Sequence, residues 1–329
     1  MREFSYRRAT GVREALALVT ETDGARYLGG GTNLVDLMKV GVEAPARLVD
    51  VRFLPLDGVR EADDGLVLGA MTTNSAVAAH SEVRRRFPAV SQAVLAGASG
   101  QLRNMATVGG NLLQRTRCGY FADTSQPCNR RAPGSGCPAI AGEHHNHAVL
   151  GLTDHCAATH PSDLAVALTA FDAVVRYETL DGAGEVPLAD FYPPVGDAPH
   201  RETVLPAGAL ITAVHLPDAE VARWSRYRKV RERASYAFAT VSIAAALTVH
   251  EGLVSDVRIA FGGVASRPWR ARAAEAVLLG GPATADRFRV AADAELSAAR
   301  PLRDNGYKVD LARNLVVSTL TDLWERGEG

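Results

Sequence analysis

The sequence predicts an α+β fold built from more than one compact unit. The chain has 329 residues, of which 47% are hydrophobic, so it is long enough for two or three units that each bury a core. Short strands and helices alternate in its first third, which is typical of α/β or α+β units. Later, a long β-rich run at residues 236–250 is followed by alanine-rich helices. We therefore expect an N-terminal region over residues 1–222 and, over residues 223–329, a C-terminal domain with a small antiparallel sheet backed by helices.

The first elements follow from hydrophobic spacing and turn residues. Thr10 can cap a helix whose apolar residues keep helical spacing, and Gly24 ends it. The apolar segments that follow predict three strands and one helix, with strands at 25–28, 46–51 and 66–70 and the helix at 34–39.

From Ala106 to about Asp163 the periodicity disappears, and Gly, Pro, Asn, Arg, His and all four cysteines take its place. A stretch of this length without regular structure inside a compact domain is usually functional. Beyond it, periodicity returns in an apolar segment at 164–168, strands at 173–177 and 254–261, a proline-rich passage at 187–206, and helices at 270–279, 283–299 and 310–325.

Charge and hydropathy limit the partners. The 36 basic and 37 acidic residues give a net charge of -1, which leaves no large field for nucleic acid or anionic lipid. No apolar run approaches the roughly 20 residues that span a bilayer. The start, MREFSYRRATG, lacks the apolar core of a signal peptide. We expect a small-molecule or protein partner, no nucleic acid and no membrane insertion, and either a cytoplasmic location or a periplasmic one reached with a signal-bearing partner.

Two glycine loops offer a cradle for phosphate. Gly29–Gly31 lie between a predicted strand and a predicted helix, where close backbone approach and unpaired N–H groups favour an anion. The pattern is neither the GxGxxG of a dinucleotide fold nor a nucleoside triphosphate loop, and a tight turn without a ligand explains it equally well. Residues 107–111, TVGGN, repeat the chemistry later in the chain. Together the loops suggest two halves that grip one diphosphate.

The four cysteines, Cys118, Cys128, Cys137 and Cys156, are separated by 9, 8 and 18 residues and stand among polar and basic neighbours rather than in apolar runs. A chain with a substantial core and no secretory signal does not need disulfides. Structural zinc is a stronger candidate, because five histidines crowd the same region, although zinc ribbons use shorter spacings. The long spacings favour a loop around a 4Fe-4S cluster. The nearby arginines either raise the potential of such a cluster or face a partner.

The two glycine loops together resemble those of the FAD-binding subunit in the xanthine dehydrogenase and aldehyde oxidoreductase group of molybdenum hydroxylases. The resemblance implies a FAD-binding region of two subdomains, like that of vanillyl-alcohol oxidase, and a C-terminal domain like that of CO dehydrogenase flavoprotein. Asn33 replaces the family's usual aspartate. The residues implied to hold the FAD diphosphate and ribose are Leu28, Gly29, Gly30, Gly31, Thr32, Asn33, Leu34, Thr107, Gly109, Gly110 and Asn111.

Two later segments extend the resemblance. Residues 160–164, HPSDL, are similar to the family's Ser-Pro-x-x-Asp segment, which assigns Ser162 and Asp163 to the flavin site, with Asp163 as a polar anchor. Residues 227–234 resemble the start of the family's C-terminal domain, where a lysine lies close to the flavin. Lys229 is the candidate, although a solvated charge on an exposed strand is an alternative interpretation.

In most flavin subunits of this family, the second glycine loop leads directly into the Ser-Pro-x-x-Asp segment. Here the segment 112–160 is inserted between them. It resembles the 4Fe-4S loop of two subtypes, the flavin subunits of bacterial periplasmic aldehyde oxidoreductase and of 4-hydroxybenzoyl-CoA reductase. It is most similar to the first, although Gly119 stands where that subtype has proline. The resemblance implies that the four cysteines are the cluster ligands.

The function implied is electron transfer from iron-sulfur clusters to FAD and on to an external electron acceptor. FAD accepts electrons singly and releases them in pairs, which iron-sulfur centres alone do not do. A large subunit would hydroxylate the substrate at molybdenum, and a small subunit would carry 2Fe-2S clusters. No catalytic residue is expected in this chain. Two alternatives remain at this point: a stand-alone FAD oxidase and a zinc-stabilised binding module without redox function.

Overall fold

In the computed structural model, which describes residues 1–327, the chain begins with a small parallel sheet. Its strands are ordered β1-β3-β2, and one helix crosses over between consecutive strands. The elements are β1 (Ser5–Arg8), α1 (Val12–Thr20), β2 (Arg26–Leu28), α2 (Leu34–Lys39) and β3 (Arg47–Asp50). The first glycine loop therefore follows the carboxyl end of β2, the edge where α/β units bind ligands.

The start of α1 differs from the expectation. Gly11 rather than Thr10 occupies the N-cap position, and its backbone is extended. Thr10 instead donates twice to the Glu14 carboxylate, from its backbone N–H at 2.7 Å and from its hydroxyl at 2.5 Å. The threonine thus fixes the first turn through a side chain one turn later.

A five-stranded antiparallel sheet forms the second unit, in the order β4-β5-β8-β6-β7. Its strands are β4 (Val59–Ala62), β5 (Gly65–Gly69), β6 (Val174–Thr179), β7 (Gly182–Pro187) and β8 (Leu210–Pro217). Its helices are α3 (Asn74–Ala79), α4 (Ser81–Arg86), α5 (Pro88–Ala96), α6 (Gly100–Arg103), α7 (Val108–Leu112), α8 (Gly119–Ala122), α9 (Asp163–Ala170) and α10 (Leu188–Phe191). All eight residues of α9 are buried, because the helix packs against α5 and also against the third unit.

The third unit is an antiparallel sheet backed by helices, as the sequence predicts. Its strands β9 (Ser225–Val230), β10 (Val241–His250), β11 (Leu253–Gly262) and β12 (Trp269–Arg270) have the order β12-β11-β10-β9. Its helices are α11 (Arg272–Leu278), α12 (Ala285–Leu296) and α13 (Tyr307–Gly327). Within the predicted β-rich run at 236–250, the strand β10 begins only at Val241.

The stretch from Ala106 to Asp163 is more ordered than its sequence indicates. It contains α7, α8 and a single turn of 3₁₀ helix at Pro138–Ile140. Its later part is buried against the third unit, where the N–H groups of Val149 and Leu150 both donate to the carbonyl of Val264. The apolar run around these residues explains the order: it is too short to show a period, but it fills a core.

No helix within residues 1–327 has the length and apolar character that a membrane span requires.

Candidate functional site

A large cavity lined by the described residues has a volume of about 1080 Å³. Ligand pockets typically measure about 300–1,000 Å³, so this one suits a large cofactor. Six of the residues predicted for the flavin site line it: Thr32, Asn33, Gly110, Asn111, Asp163 and Lys229. The other predicted residues are not among its lining residues, namely Leu28, Gly29, Gly30, Gly31, Leu34, Thr107, Gly109 and Ser162. Elements distant in sequence are thus brought to one cavity.

The two glycine loops touch each other. A Cβ atom on Gly30 would lie 1.8 Å from the carbonyl oxygen of Met105, just before the second loop, and one on Gly29 would lie 3.2 Å from Oγ1 of Thr107. Gly31 has a φ of +74°, in the left-handed region that favours glycine. The first loop therefore needs glycine for contact with the second loop as much as for contact with a ligand.

The loops differ in the hydrogen-bonding groups that they leave free. Within residues 1–327, the N–H groups of Gly30 through Leu34 have no protein acceptor. In the second loop, the N–H groups of Val108, Gly109 and Asn111 already donate to the backbone. That of Gly110 donates to Oγ1 of Thr107. The first loop thus keeps five consecutive backbone donors for an anion, whereas four of the five N–H groups of the second loop are already used. The second loop therefore contributes mainly by contact and through its asparagine.

Asn33 carries a donor that lacks a partner. Its Oδ1 accepts from the backbone N–H of Arg115 at 3.0 Å, which ties the first loop to the chain beyond α7. Its Nδ2 is buried and, among the described residues, has no acceptor. A buried amide donor on the wall of a cavity fits an oxygen atom of a bound ligand. The asparagine is therefore suited to a phosphate cradle despite replacing an aspartate.

Asp163 lies at the centre of a buried charge cluster. Its Oδ2 is 2.7 Å from Nζ of Lys229, and its Oδ1 accepts from the hydroxyl of Tyr227 at 2.5 Å. The Lys229 side chain is only 3% exposed and also donates to the carbonyl of Ala96. The interpretation of Lys229 as a solvated surface charge is wrong. The pair instead fixes a cation and a carboxylate on the cavity wall.

Sequence reasoning missed Tyr227. It belongs to β9 with Lys229, and residues two apart on a strand share a face. Burial and the adjacent Asp163 raise the pKa of Tyr227 well above its ordinary value, so its hydroxyl remains a donor. The alternation in Tyr227-Arg228-Lys229 was the signal that could have identified it.

The four cysteines, which the sequence spreads over residues 118–156, meet around one small cavity. All four are free thiols rather than disulfides. Contact with the Cys137 thiol and the charge of Arg130 lower the pKa of Cys156 below its ordinary value, against the opposing effect of burial. The structure thus assembles the predicted sulfur ligands and favours a thiolate at one of them.

Within residues 1–327, no group of three or more His, Cys, Asp or Glu side chains is arranged to bind one metal ion. Of the five histidines near the cysteines, only His147 contacts a cysteine sulfur in the described part of the chain, with Nε2 3.2 Å from Sγ of Cys118.

The two cavities share a wall. Cys118 and Tyr120 line both the large cavity and the cysteine cavity. Cys118 directly precedes α8, which holds Tyr120, so this short helix forms the partition. A ligand in the large cavity would therefore lie beside the sulfur cluster.

Comparison with known proteins identifies the family. The family model described as "FAD binding domain in molybdopterin dehydrogenase" matches residues 2–219, and that described as "CO dehydrogenase flavoprotein C-terminal domain" matches residues 225–324. These matches confirm the α+β fold class. FAD, when bound, supplies one-electron and two-electron transfer. The free donors of the first loop and of Asn33 fit its diphosphate.

Curated relatives and solved structures agree with the family models. The chain is 48% identical over 324 residues to the aldehyde oxidoreductase FAD-binding subunit of Escherichia coli strain K12, with 98% of each chain covered. It is 27% identical over 279 residues to the glyceraldehyde dehydrogenase medium chain of Sulfolobus acidocaldarius, covering 84% of this chain and 82% of that one. Its structure matches carbon monoxide dehydrogenase from Hydrogenophaga pseudoflava with a TM-score of 0.77 at 26% identity, covering 99% and 98% of the two chains. The chain therefore belongs to the FAD-binding subunits of the molybdenum hydroxylase family of oxidoreductases.

Proposed function

We propose that this chain is the FAD-binding electron-transfer subunit of an aldehyde-oxidising molybdenum hydroxylase and that its cysteines hold a 4Fe-4S cluster beside the flavin. The observation that carries the proposal is the partition formed by Cys118 and Tyr120 between the large cavity and the cysteine cavity. Electron transfer needs redox centres close together, and one short helix separates these two cavities.

The flavin half of the proposal rests on Asn33 and on the Asp163–Lys229 pair. The first loop would bind the diphosphate, and the buried pair would orient the flavin ring. We assign residues 1–222 to the FAD-binding domain, with the cluster loop at 112–160, and residues 223–329 to the C-terminal domain.

The cluster half rests on the chemistry of the cysteine cavity. Four free thiols converge there, with N–H groups of Arg130 and Ala158 each 3.4 Å from Sγ of Cys156. N–H groups directed at sulfur are typical of iron-sulfur sites, because they offset the negative charge of the cluster. A zinc-stabilised module would leave the large cavity and the free donors of the first loop without a role.

The proposal implies two partner subunits and one external electron acceptor. A large molybdenum-containing subunit would oxidise the aldehyde, and a small 2Fe-2S subunit would deliver electrons to this chain. The E. coli relative is itself named as a subunit of an aldehyde oxidoreductase, whereas a stand-alone oxidase would need no such assembly. Fractionation of cells that express all the subunits decides between the cytoplasm and the periplasm.

The first test is the content of iron, acid-labile sulfide, zinc and FAD in the complex, purified anaerobically after expression with the neighbouring subunits. We expect one FAD per chain and about four irons and four sulfides beyond those of the small subunit. Stoichiometric zinc without the extra iron would overturn the cluster but leave the flavin. Absence of FAD would overturn the proposed function as a whole.

Two variants separate the centres. Cys137→Ser removes a cluster ligand and should lower iron and sulfide while retaining FAD. Asp163→Asn breaks the buried pair and should lower FAD while retaining the extra iron. Loss of both centres in both variants would contradict the assignment of separate sites.

A further inference from the structure

The structure separates four arginines near the cysteines that are indistinguishable in the sequence. Arg117 lies over the ring of Phe238, and Arg131 donates to backbone carbonyls, including those of Tyr120 and Asp123. Arg115 pairs with the carboxylates of Glu43 and Glu202 and, among residues 1–327, donates no hydrogen bond to sulfur. Within the described chain, Arg130 alone of the four places its guanidinium against a cysteine sulfur.

Arg130 is a buried charge. Its side chain is 8% exposed, and its Nε lies 3.4 Å from Sγ of Cys156. On its other side, Nη1 lies 3.2 Å from Oε1 of Glu202. The guanidinium is therefore held between a sulfur atom and a carboxylate, where little solvent screens either interaction.

Glu202 reaches this position from the proline-rich segment between β7 and β8. The same carboxylate accepts two hydrogen bonds from Arg115, both at 3.1 Å. Glu43, which follows α2, accepts from Arg115 as well. The counter-charge of Arg130 is thus fixed by contacts that do not involve the cysteines.

We propose that Arg130 and Glu202 act as an opposed pair of positioning residues that sets the reduction potential of the cluster. The inference rests on the proposed 4Fe-4S site and adds a specific control of its potential. A cation that donates to a ligand sulfur stabilises the more negative, reduced cluster and raises the potential. Glu202 weakens this effect because it neutralises part of the charge of Arg130.

Two variants should shift the potential in opposite directions. Arg130→Gln removes the cation and should lower the midpoint potential. Glu202→Gln leaves the cation without its counter-charge and should raise it. A change of roughly tenfold in the reduced-to-oxidised ratio at fixed potential corresponds to about 59 mV for one electron. Redox titration of the intact complex, followed by electron paramagnetic resonance of this cluster, measures both shifts.

Controls distinguish electrostatics from damage to the fold. Arg131→Gln removes the neighbouring arginine, whose contacts are backbone carbonyls, and should leave the potential near that of wild type. Arg130→Lys keeps the charge without the rigid Nε donor and should give a value between wild type and Arg130→Gln. If Arg130→Gln does not retain the cluster, the opposite shifts of Glu202→Gln and Arg130→Lys still test the inference.

The outcomes separate this inference from the proposed function. A wild-type complex without the extra iron and sulfide would overturn the proposed cluster. An intact cluster whose potential is unchanged in both Arg130→Gln and Glu202→Gln, or moves in the same direction in both, would overturn only the role of the pair.

Discussion

The hydroxyl of Ser162 donates a hydrogen bond of 2.5 Å to Oδ1 of Asn111, which joins the two ends of the cysteine-bearing segment. The same hydroxyl accepts from the backbone N–H of Ala165 at 2.9 Å and so caps α9. Since Asp163 is the first residue of α9, one side chain fixes the second glycine loop, the helix start and the buried carboxylate. The cysteine segment is thereby closed into a loop at the wall of the large cavity.

Ser162→Ala should weaken FAD binding as well as stability. Loss of an N-cap typically costs about 0.5–2 kcal/mol, and the link to Asn111 is lost with it. Thr284→Ala is the matched control, because Thr284 caps α12 in the same way but lies in the third unit, outside the cavity lining. Urea unfolding and FAD titration of both variants test this. An equal loss of FAD affinity in both would show that the Asn111 link does not matter.

Lys229→Met should be strongly destabilising. Among the described residues, it leaves the buried Asp163 carboxylate with Tyr227 as its one hydrogen-bond partner, and an uncompensated buried charge costs about 3–5 kcal/mol. The double variant with Asp163→Asn should recover part of the loss, because both charges are then removed. The unfolding free energy measures both effects. Arg303→Met, which breaks an exposed pair with Asp304, should cause no measurable change; a similar loss in that variant would contradict the role of burial.

Gly30→Ala should lower FAD affinity by roughly tenfold or more, which is about 1.4 kcal/mol. The new Cβ would lie 1.8 Å from the backbone oxygen of Met105, so the two glycine loops have to separate. Gly100→Ala, at the start of α6, has no atom within 4 Å of its Cβ and serves as the control. Comparison of FAD dissociation constants gives the result, and unchanged affinity in Gly30→Ala would show that the loop contact does not shape the site.

Acid should destabilise the protein through His160. Burial, aided by the charge of Arg130, lowers the pKa of His160 to about 3, compared with 6.5 for the free side chain. Below pH 6.5, His160 therefore binds a proton in the unfolded chain, whereas in the folded chain it stays neutral down to about pH 3. The free energy of unfolding falls between pH 6.5 and pH 3 by up to about 1.4 kcal/mol per pH unit. His160→Gln should show a shallower slope in urea unfolding between pH 7 and 5. The exposed His250→Gln is the control, and equal slopes in the two variants would contradict the prediction.

The sequence alone determined which segments bear the chemistry. Glycine loops, a polar cysteine-rich stretch and a β-rich run before helices are local patterns, and local patterns depend on backbone freedom and hydrophobic spacing. For this reason α2 was predicted with its bounds of Leu34–Lys39, and the antiparallel sheet of the third unit was expected. The helices α6 and α8 escaped prediction, because each has only four residues and is too short to show a hydrophobic period.

Only the tertiary structure decided which of these residues meet and what each one does. The burial of Lys229 against Asp163, the position of Arg130 at Cys156 and the contact of Gly30 with Met105 join residues that lie 26 to 75 positions apart. Such contacts depend on how the helices pack and on which backbone donors already have acceptors within the folded loops. The local spacing of residue types predicts neither of these. The sequence identified the residue types, whereas packing determined which charged groups are paired. Burial then strengthens each electrostatic contact, because solvent no longer screens it.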